Sequence, residues 1–99
     1  NIAGGIRVDE PAADLGMIAA IASNFKDRLI DPETVVFGEV GLGGEVRGVS
    51  QSEVRAKEAM RLGFKKCVLP KQNQEKIKGI QGIELIGVRT IQEAMKVLF

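Results

Sequence analysis

The sequence predicts a mixed α/β domain, in which short apolar runs typical of strands alternate with apolar patterns of helical spacing. In the C-terminal half, the order strand, helix, strand, helix implies a parallel pair of strands with a right-handed crossover. A length of 99 residues suits one domain, and 44% apolar residues with Phe as the only aromatic type indicate an aliphatic core. No repeat, linker or low-complexity segment is apparent, so we expect residues 1–99 to form a single domain.

The N-terminal segment predicts a strand followed by a helix. Residues 1–8 are strand-like, with a bulge permitted at Gly4-Gly5. Because this apolar run opens without Met, we expect a fragment of a longer chain that lacks its first strands. Pro11 suits the first helical turn, with Asp9 and Glu10 at the positive end of the helix dipole. The helix is expected to run to about residue 27 with a buried stripe of Leu15, Ile18, Ala22 and Phe25, widened by Met17 and Ile21.

A glycine-rich segment in the middle of the chain predicts a β-hairpin. Two strand-like runs, 35–40 and 45–49, flank Gly41-Leu-Gly-Gly44. A phosphate-binding loop does not fit here, because such a loop ends in Gly-Lys-Ser or Gly-Lys-Thr and connects a strand to a helix.

The later elements are predicted from capping signals and apolar runs. Ser50 and Glu53 have the spacing of a capping box, in which Ser50 caps the second helix and Glu53 bonds back to the cap residue. Gly63 is placed to end that helix. A second capping box at 90–93 opens a last helix that reaches residue 98. Between these helices we expect a strand over 65–69, a short helix over 73–78 and a strand over 83–88.

Two segments together resemble the proteolytic domain of Lon-type proteases: Asp9-Glu-Pro-Ala-Ala13 before the first helix, and residues 38–47 before the second. The resemblance implies a Lon protease-like α/β fold, related to the second domain of ribosomal protein S5. In that family a Ser follows the Pro and a Lys begins the second helix, and the pair forms the catalytic dyad. These positions correspond to Ala12 and Glu53 here. The resemblance therefore implies a pseudo-protease domain without catalytic residues.

Further sequence segments make the resemblance more specific. The segments Glu10-Pro-Ala-Ala-Asp-Leu15 and 37–47, followed by Leu69-Pro-Lys71, are similar to the C-terminal domain of the RadA (Sms) family of bacterial DNA repair proteins. That family implies a platform for DNA binding and ring assembly, expected to be hexameric, that serves an ATP-driven branch-migration motor. ATP, Mg and Zn are then expected in an N-terminal part outside this chain, with no cofactor in the chain itself. The family also implies a bacterial cytoplasmic protein.

The charges are unevenly distributed along the chain. Residues 1–49 hold four Lys or Arg against eight Asp or Glu, whereas residues 50–99 hold ten against five. The basic run over 55–78 is a candidate surface for a polyanion. Because the chain has no Tyr or Trp for base stacking, this surface suits non-specific contact with duplex phosphates. The candidate DNA-binding residues are Arg55, Arg61, Lys65, Lys66 and Lys71.

Other interpretations remain open. A charge run is commonly a solvated face, and the acidic half of one subunit could instead meet the basic half of a neighbour, which would build a ring head to tail. An active Lon-like peptidase would need a nucleophile, and the serines are Ser23, Ser50 and Ser52. Lys57 lies one turn after Glu53 and shares its helix face, but without a partner serine it is expected to be a surface lysine.

A single Cys67 and the absence of His leave no internal disulfide and no credible zinc site. We expect Cys67, within an apolar strand, to be an inert core thiol. No apolar run approaches the roughly 18 residues of a membrane span, and the N-terminus lacks a signal-peptide pattern. These observations favour a cytosolic location.

Overall fold

The computed structural model describes residues 2–3, 6–7 and 10–99. The Gly4-Gly5 pair, at which we expected a bulge, and Asp9, which we placed at the start of the first helix, lie outside the described residues. The strands are β1 (Ile2–Ala3), β2 (Ile6–Arg7), β3 (Thr34–Val36), β4 (Glu39–Val40), β5 (Val46–Arg47), β6 (Lys66–Pro70) and β7 (Glu84–Val88), and the helices are α1 (Asp14–Lys26), α2 (Ser52–Arg61), α3 (Lys71–Gln74) and α4 (Ile91–Leu98), with a 3₁₀ turn at Pro11–Ala13.

A parallel sheet in the order β3-β6-β7 forms the centre of the domain. Val35 lies beside Cys67, and Cys67 lies beside Leu85, so one residue from each strand shares a row. Strands β1 and β2 pair antiparallel, as do β4 and β5. The parallel strands and mixed α/β class predicted from the sequence are confirmed.

Alternation along the central strands separates the core into two layers, because successive strand residues point to opposite faces of a sheet. On one face, residues from α2 and from the loop before β7 pack on the sheet, whereas α1, α4 and the β4-β5 hairpin cover the other. The first cluster contains Phe37, Ala56, Ala59, Cys67, Leu69, Ile77 and Ile83, and the second contains Leu15, Val68, Val88 and Ala94. Within the described part of the chain, no helix is long and apolar enough to cross a membrane.

The strand-like run over 35–40 is divided in the structure. Residues up to Val36 belong to the central sheet, and the chain then leaves it to form the hairpin. The cause lies at Gly38, whose amide donates to Ala12 O (2.8 Å) and whose carbonyl accepts from Leu15 N (3.0 Å). This exchange ties the start of α1 to the entrance of the hairpin. The predicted hairpin is therefore confirmed, in a shorter form.

Helix α1 starts as expected at a turn containing Pro11, and the side chain of Glu10 accepts from the amide of Ala12 at 3.1 Å. The predicted buried stripe is wrong in its second half. Leu15 is fully buried, but Ile21 is 69% and Phe25 is 92% exposed. The reason is length: a helix of 13 residues extends about 20 Å, whereas the three residues of β3 cover about 10 Å. The helix runs past the strand that it covers.

The start of α2 contradicts the first capping box. The helix begins at Ser52, and Gln51 precedes it in the left-handed region (φ 59°) without a side-chain cap. Glu53 pairs instead with Lys57 at 2.9 Å. Spacing alone was misleading, because a capping box requires an extended residue at the helix start and this chain enters through a left-handed one.

The predictions for the other helix ends agree better with the structure. Gly63 has a φ of 99° and follows the end of α2, as predicted. The second capping box is confirmed, since Thr90 Oγ1 accepts from Glu93 N at 3.1 Å. Helix α3 spans Lys71–Gln74 and not the predicted 73–78, because it starts directly where β6 ends.

Candidate functional site

A small cleft lies beside the carboxyl ends of the central strands, the edge at which ligands of open α/β sheets commonly bind. Its volume is about 130 Å³, enough for a few water molecules. Ala12 lies in its wall and is 2% exposed. The residues that line the cleft are Glu10, Pro11, Ala12, Glu39, Gly48, Val49 and Ser50.

One wall of the cleft is held in place by α3. Asn73 Oδ1 accepts from Val49 N at 2.8 Å, and Asn73 Nδ2 donates to Val49 O at 3.0 Å. Asn73 is buried, so these two bonds satisfy its amide in a water-poor site. A Cβ at Gly48 would approach Gln72 Oε1 to 2.9 Å, so a larger residue there would require the flexible end of the Gln72 side chain to move. The amide of Asn73 was missed by the sequence analysis, since no local pattern links residues 49 and 73.

The structure does not bring Glu53 into this wall. Its side chain is about half exposed and pairs with Lys57 on the outside of α2. Among the residues that line the cleft are Ala12, which has a methyl group, and Ser50. The two positions at which the resemblance places the dyad therefore hold no nucleophile and no amine.

Arg55 is the cationic side chain of α2 that reaches the mouth of the cleft. Its Nη2 lies 3.3 Å from Glu10 Oε1, and its Nε donates to Ser50 O at 2.9 Å. A guanidinium remains charged at physiological pH, so Arg55 cannot serve as the general base that a serine nucleophile needs. The pair links the segment before α1 to the loop before α2. This contact was not predicted, because its partners lie 45 residues apart in the sequence.

The five candidate DNA-binding residues separate into two groups. Arg61, Lys65 and Lys66 lie at the amino ends of the central strands, where α2 ends and β6 begins. Lys71 follows the last residue of β6, and Arg55 faces the cleft at the same edge of the sheet. Because β6 lies between them, Lys66 and Lys71 are about 16 Å apart. The basic run in the sequence is not one continuous patch.

The basic groups also differ in their partners. Arg61 forms a two-point contact with Glu58 on α2, with Nε to Oε2 at 3.0 Å and Nη2 to Oε1 as the second bond. Hydrogen bonding to Arg61 lowers the pKa of Glu58, and the same bond raises the pKa of Arg61. Lys65 and Lys66 are exposed, and neither forms an ion pair with another residue of the range 10–99. Among residues 10–99, the two lysines therefore have no ion pair that a polyanion would have to break, and Glu84 lies beside Lys66 on the neighbouring strand.

Cys67 contributes no reactive group. It lies fully buried in β6, and burial raises the pKa of its thiol to about 12. The thiol is therefore protonated at neutral pH and is a poor nucleophile. Within the described ranges, no three His, Cys, Asp or Glu side chains are grouped closely enough to hold a metal ion.

The mixed α/β fold agrees with the family that the sequence matches. Residues 2–99 match the model of the Lon protease (S16) C-terminal proteolytic domain, and the chain belongs to this family. Within it, the chain is similar to the DNA repair protein RadA of several bacteria. It is 48% identical to RadA of Aquifex aeolicus over 99 residues, which cover 100% of this chain and 22% of that protein.

Two further relatives show the same similarity. The chain is 47% identical to RadA of Bacillus subtilis over 96 residues, covering 97% of this chain and 21% of that protein. It is 48% identical to RadA of Synechocystis over 91 residues, covering 92% of this chain and 17% of that protein. The chain thus spans about a fifth of the length of these relatives. The resemblance to the RadA family that the motifs indicated is confirmed.

Proposed function

We propose that this chain is a non-catalytic Lon-like domain that provides DNA binding and assembly to a DNA repair and recombination protein of the RadA type. The observation that carries the proposal is the combination of Ala12 in the wall of the cleft and Glu53 outside it, in a chain nearly half identical to RadA proteins. A protease of this family needs an oxygen at the first position and an amine at the second.

The peptidase alternative would have to use Ser50, the serine that lines the cleft. A serine hydroxyl attacks only when an adjacent base removes its proton. The nearby carboxylate of Glu10 accepts from the amide of Ala12 and pairs with Arg55, so its oxygen is already engaged by two donors. The arrangement favours a binding role over hydrolysis.

The better surface for DNA binding is the amino edge of the sheet, by which we mean the end at which Arg61, Lys65 and Lys66 lie. Lys65 and Lys66 are adjacent, exposed and without an ion pair among residues 10–99, whereas Arg61 would have to release Glu58. Lysines of this kind attract phosphates without reading bases, and binding of one small domain is expected to be weak and sensitive to salt. Lys71 and Arg55, at the opposite edge, are not expected to contact the same phosphates.

Ring assembly and the motor belong to the whole parent protein. In this proposal, ATP, Mg and Zn are bound by parts of the parent outside this chain, and the parent works as a DNA-dependent ATPase in a ring, expected to be hexameric, in the bacterial cytoplasm. The uneven charge of the chain supports assembly, because an acidic surface of one subunit can face a basic surface of the next. The similarity to RadA proteins supports the proposal that the parent protein is an ATP-driven motor.

The test is duplex binding by the 99-residue chain, measured by fluorescence anisotropy with two duplexes of unrelated sequence at several salt concentrations. The double variant Lys65→Glu/Lys66→Glu is expected to weaken both duplexes equally. It should also reduce the slope of log affinity against log salt by about two, one for each lost phosphate contact. Lys76→Glu/Lys78→Glu makes the same change of charge elsewhere and is the matched control.

Two results would contradict the assignment of the DNA surface. Equal losses in the two double variants would mean that overall charge, and not the amino edge, governs binding. If the Lys65→Glu/Lys66→Glu variant instead keeps its affinity but sediments at a lower mass than the wild type, the two lysines bridge subunits.

A further inference from the structure

The two exposed lysines of the amino edge differ in their surroundings. Lys66 is the first residue of β6, and the register of the sheet pairs it with Thr34 on β3 and with Glu84 on β7. Lys65 lies just before the strand, where its amide donates to Glu33 O at 2.8 Å and its carbonyl accepts from Glu84 N at 2.9 Å. Lys66 therefore has a carboxylate residue as its direct neighbour in the sheet.

Glu84 lies close to Lys66 because both are the first residues of adjacent parallel strands. Such strands are about 4.8 Å apart, and paired residues project their side chains from the same face of the sheet. That face is the one covered by α4, since Lys66, Val97 and Leu98 line the same recess of about 70 Å³. The carboxylate of Glu84 is thus on the side of the sheet to which Lys66 points.

Glu84 has no compensating cation among residues 10–99. Its side chain is exposed, and it forms no ion pair with another residue of that range. By contrast, the equally exposed Glu53 on α2 pairs with Lys57. A phosphate bound by Lys66 would therefore lie beside a negative charge that no ion pair of this range offsets.

A second carboxylate near Lys66 is held differently. Asp31 lines the same recess, but Asp31 Oδ1 accepts from Glu33 N at 2.9 Å in the turn before β3. This bond fixes the carboxylate of Asp31 against its own turn. Glu84 is the carboxylate that shares a row of the sheet with Lys66, and it is the one expected to act on a ligand of that lysine.

We propose that Glu84 restrains DNA binding at the amino edge by repelling the phosphate that Lys66 attracts. The inference rests on the proposed function, in which Lys65 and Lys66 contact the backbone of a duplex. Two like charges about 7 Å apart in a medium as polar as water repel each other enough to lower an affinity roughly threefold. Glu84 thus keeps the contact with phosphates weak, and weak contacts of this kind allow a protein to slide along DNA.

The test is the affinity of Glu84→Gln for two duplexes of unrelated sequence, measured by fluorescence anisotropy at low salt. The variant removes one negative charge and keeps a polar side chain, and because Glu84 is exposed the domain is expected to stay folded. Both duplexes should bind about threefold more tightly than they bind the wild type. The gain should shrink as salt is added, because the screening length falls to about 3 Å at 1 M.

Glu75→Gln is the matched control. It makes the same change of charge at an exposed residue just after α3, which begins at the other end of β6. Its affinity should exceed that of the wild type by less than about 1.5-fold, since β6 separates it from the lysines by more than a screening length. In a Lys66→Ala background, no lysine holds a phosphate beside Glu84, so Glu84→Gln should bring little gain.

Equal gains in Glu84→Gln and Glu75→Gln would overturn the proposal, because overall charge would then explain them. An unchanged affinity of Glu84→Gln would overturn it as well. In that case a loss of affinity in Lys65→Glu/Lys66→Glu would retain the amino edge as the DNA surface, and only the role of Glu84 would be wrong. If the lysine double variant instead binds as well as Lys76→Glu/Lys78→Glu, both the DNA surface and the restraint by Glu84 are wrong.

Discussion

Asn73 is the buried polar residue on which the wall of the cleft depends, and its removal gives the sharpest test of that geometry. In the variant Asn73→Ala, the amide and the carbonyl of Val49 both lose their partner. Leaving a buried backbone group without a hydrogen bond costs about 1 to 3 kcal/mol, so two partly buried groups should cost about 2 to 4 kcal/mol together. For a domain of this size, with a total stability of about 5 to 15 kcal/mol, that is a large fraction.

The assay is equilibrium unfolding in urea. A lower midpoint with an unchanged slope is expected, because the surface exposed on unfolding stays the same. Gln72→Ala is the control, since Gln72 is the exposed neighbour of Asn73 on α3. Asn73→Asp should be at least as destabilising as Asn73→Ala, because one oxygen of the buried carboxylate would face Val49 O, to which it cannot donate. If the free energy of unfolding of Asn73→Ala lies within about 0.5 kcal/mol of that of the control, the two hydrogen bonds between Asn73 and Val49 do not hold the wall of the cleft.

Three further outcomes follow from single contacts. Glu53→Ala should lower the free energy of unfolding by no more than about 0.5 kcal/mol in a thermal melt, because the residue makes an exposed pair with Lys57 and no cap; a loss well above about 1 kcal/mol would restore the capping interpretation. Gly87→Ala should cost about 1 to 3 kcal/mol in urea, since a Cβ there would approach Lys71 Cα to 3.0 Å; an unchanged midpoint would show that α3 can move away. Cys67 should react with a thiol reagent only as fast as the domain unfolds, because it is fully buried and its thiol pKa is about 12; rapid labelling of the native protein would contradict this.

The elements that local patterns determine were predictable from the sequence. The parallel strands, the turn at Pro11 and the cap at Thr90 each depend on residues that lie close together in the chain. The resemblance also pointed to Ala12, which does line a cleft in the structure. The contacts that could not be predicted join residues far apart in the sequence, such as the hydrogen bonds between Val49 and Asn73 and the pair of Glu10 with Arg55.

The predictions that were wrong have a common physical cause. A local sequence pattern does not determine the structure that surrounds it in the fold. The helical spacing of Ile21 and Phe25 correctly predicted a helix, but burial depends on whether a sheet lies beneath, and β3 is too short. The spacing of Ser50 and Glu53 suited a cap, but the backbone at Gln51 took a left-handed conformation instead. Likewise, basic residues that are neighbours in the sequence lie at opposite edges of the sheet, because a strand separates them.

The most direct measurement for the central claim, a Lon-like domain that binds and does not cut, is hydrolysis of an unfolded protein such as casein by the purified chain. We predict no hydrolysis above the level of a Ser50→Ala variant, because Ala12 supplies no nucleophile and Arg55 cannot act as a base. Hydrolysis by the wild-type chain that Ser50→Ala abolishes would show that the cleft is an active site, and the non-catalytic assignment would be wrong.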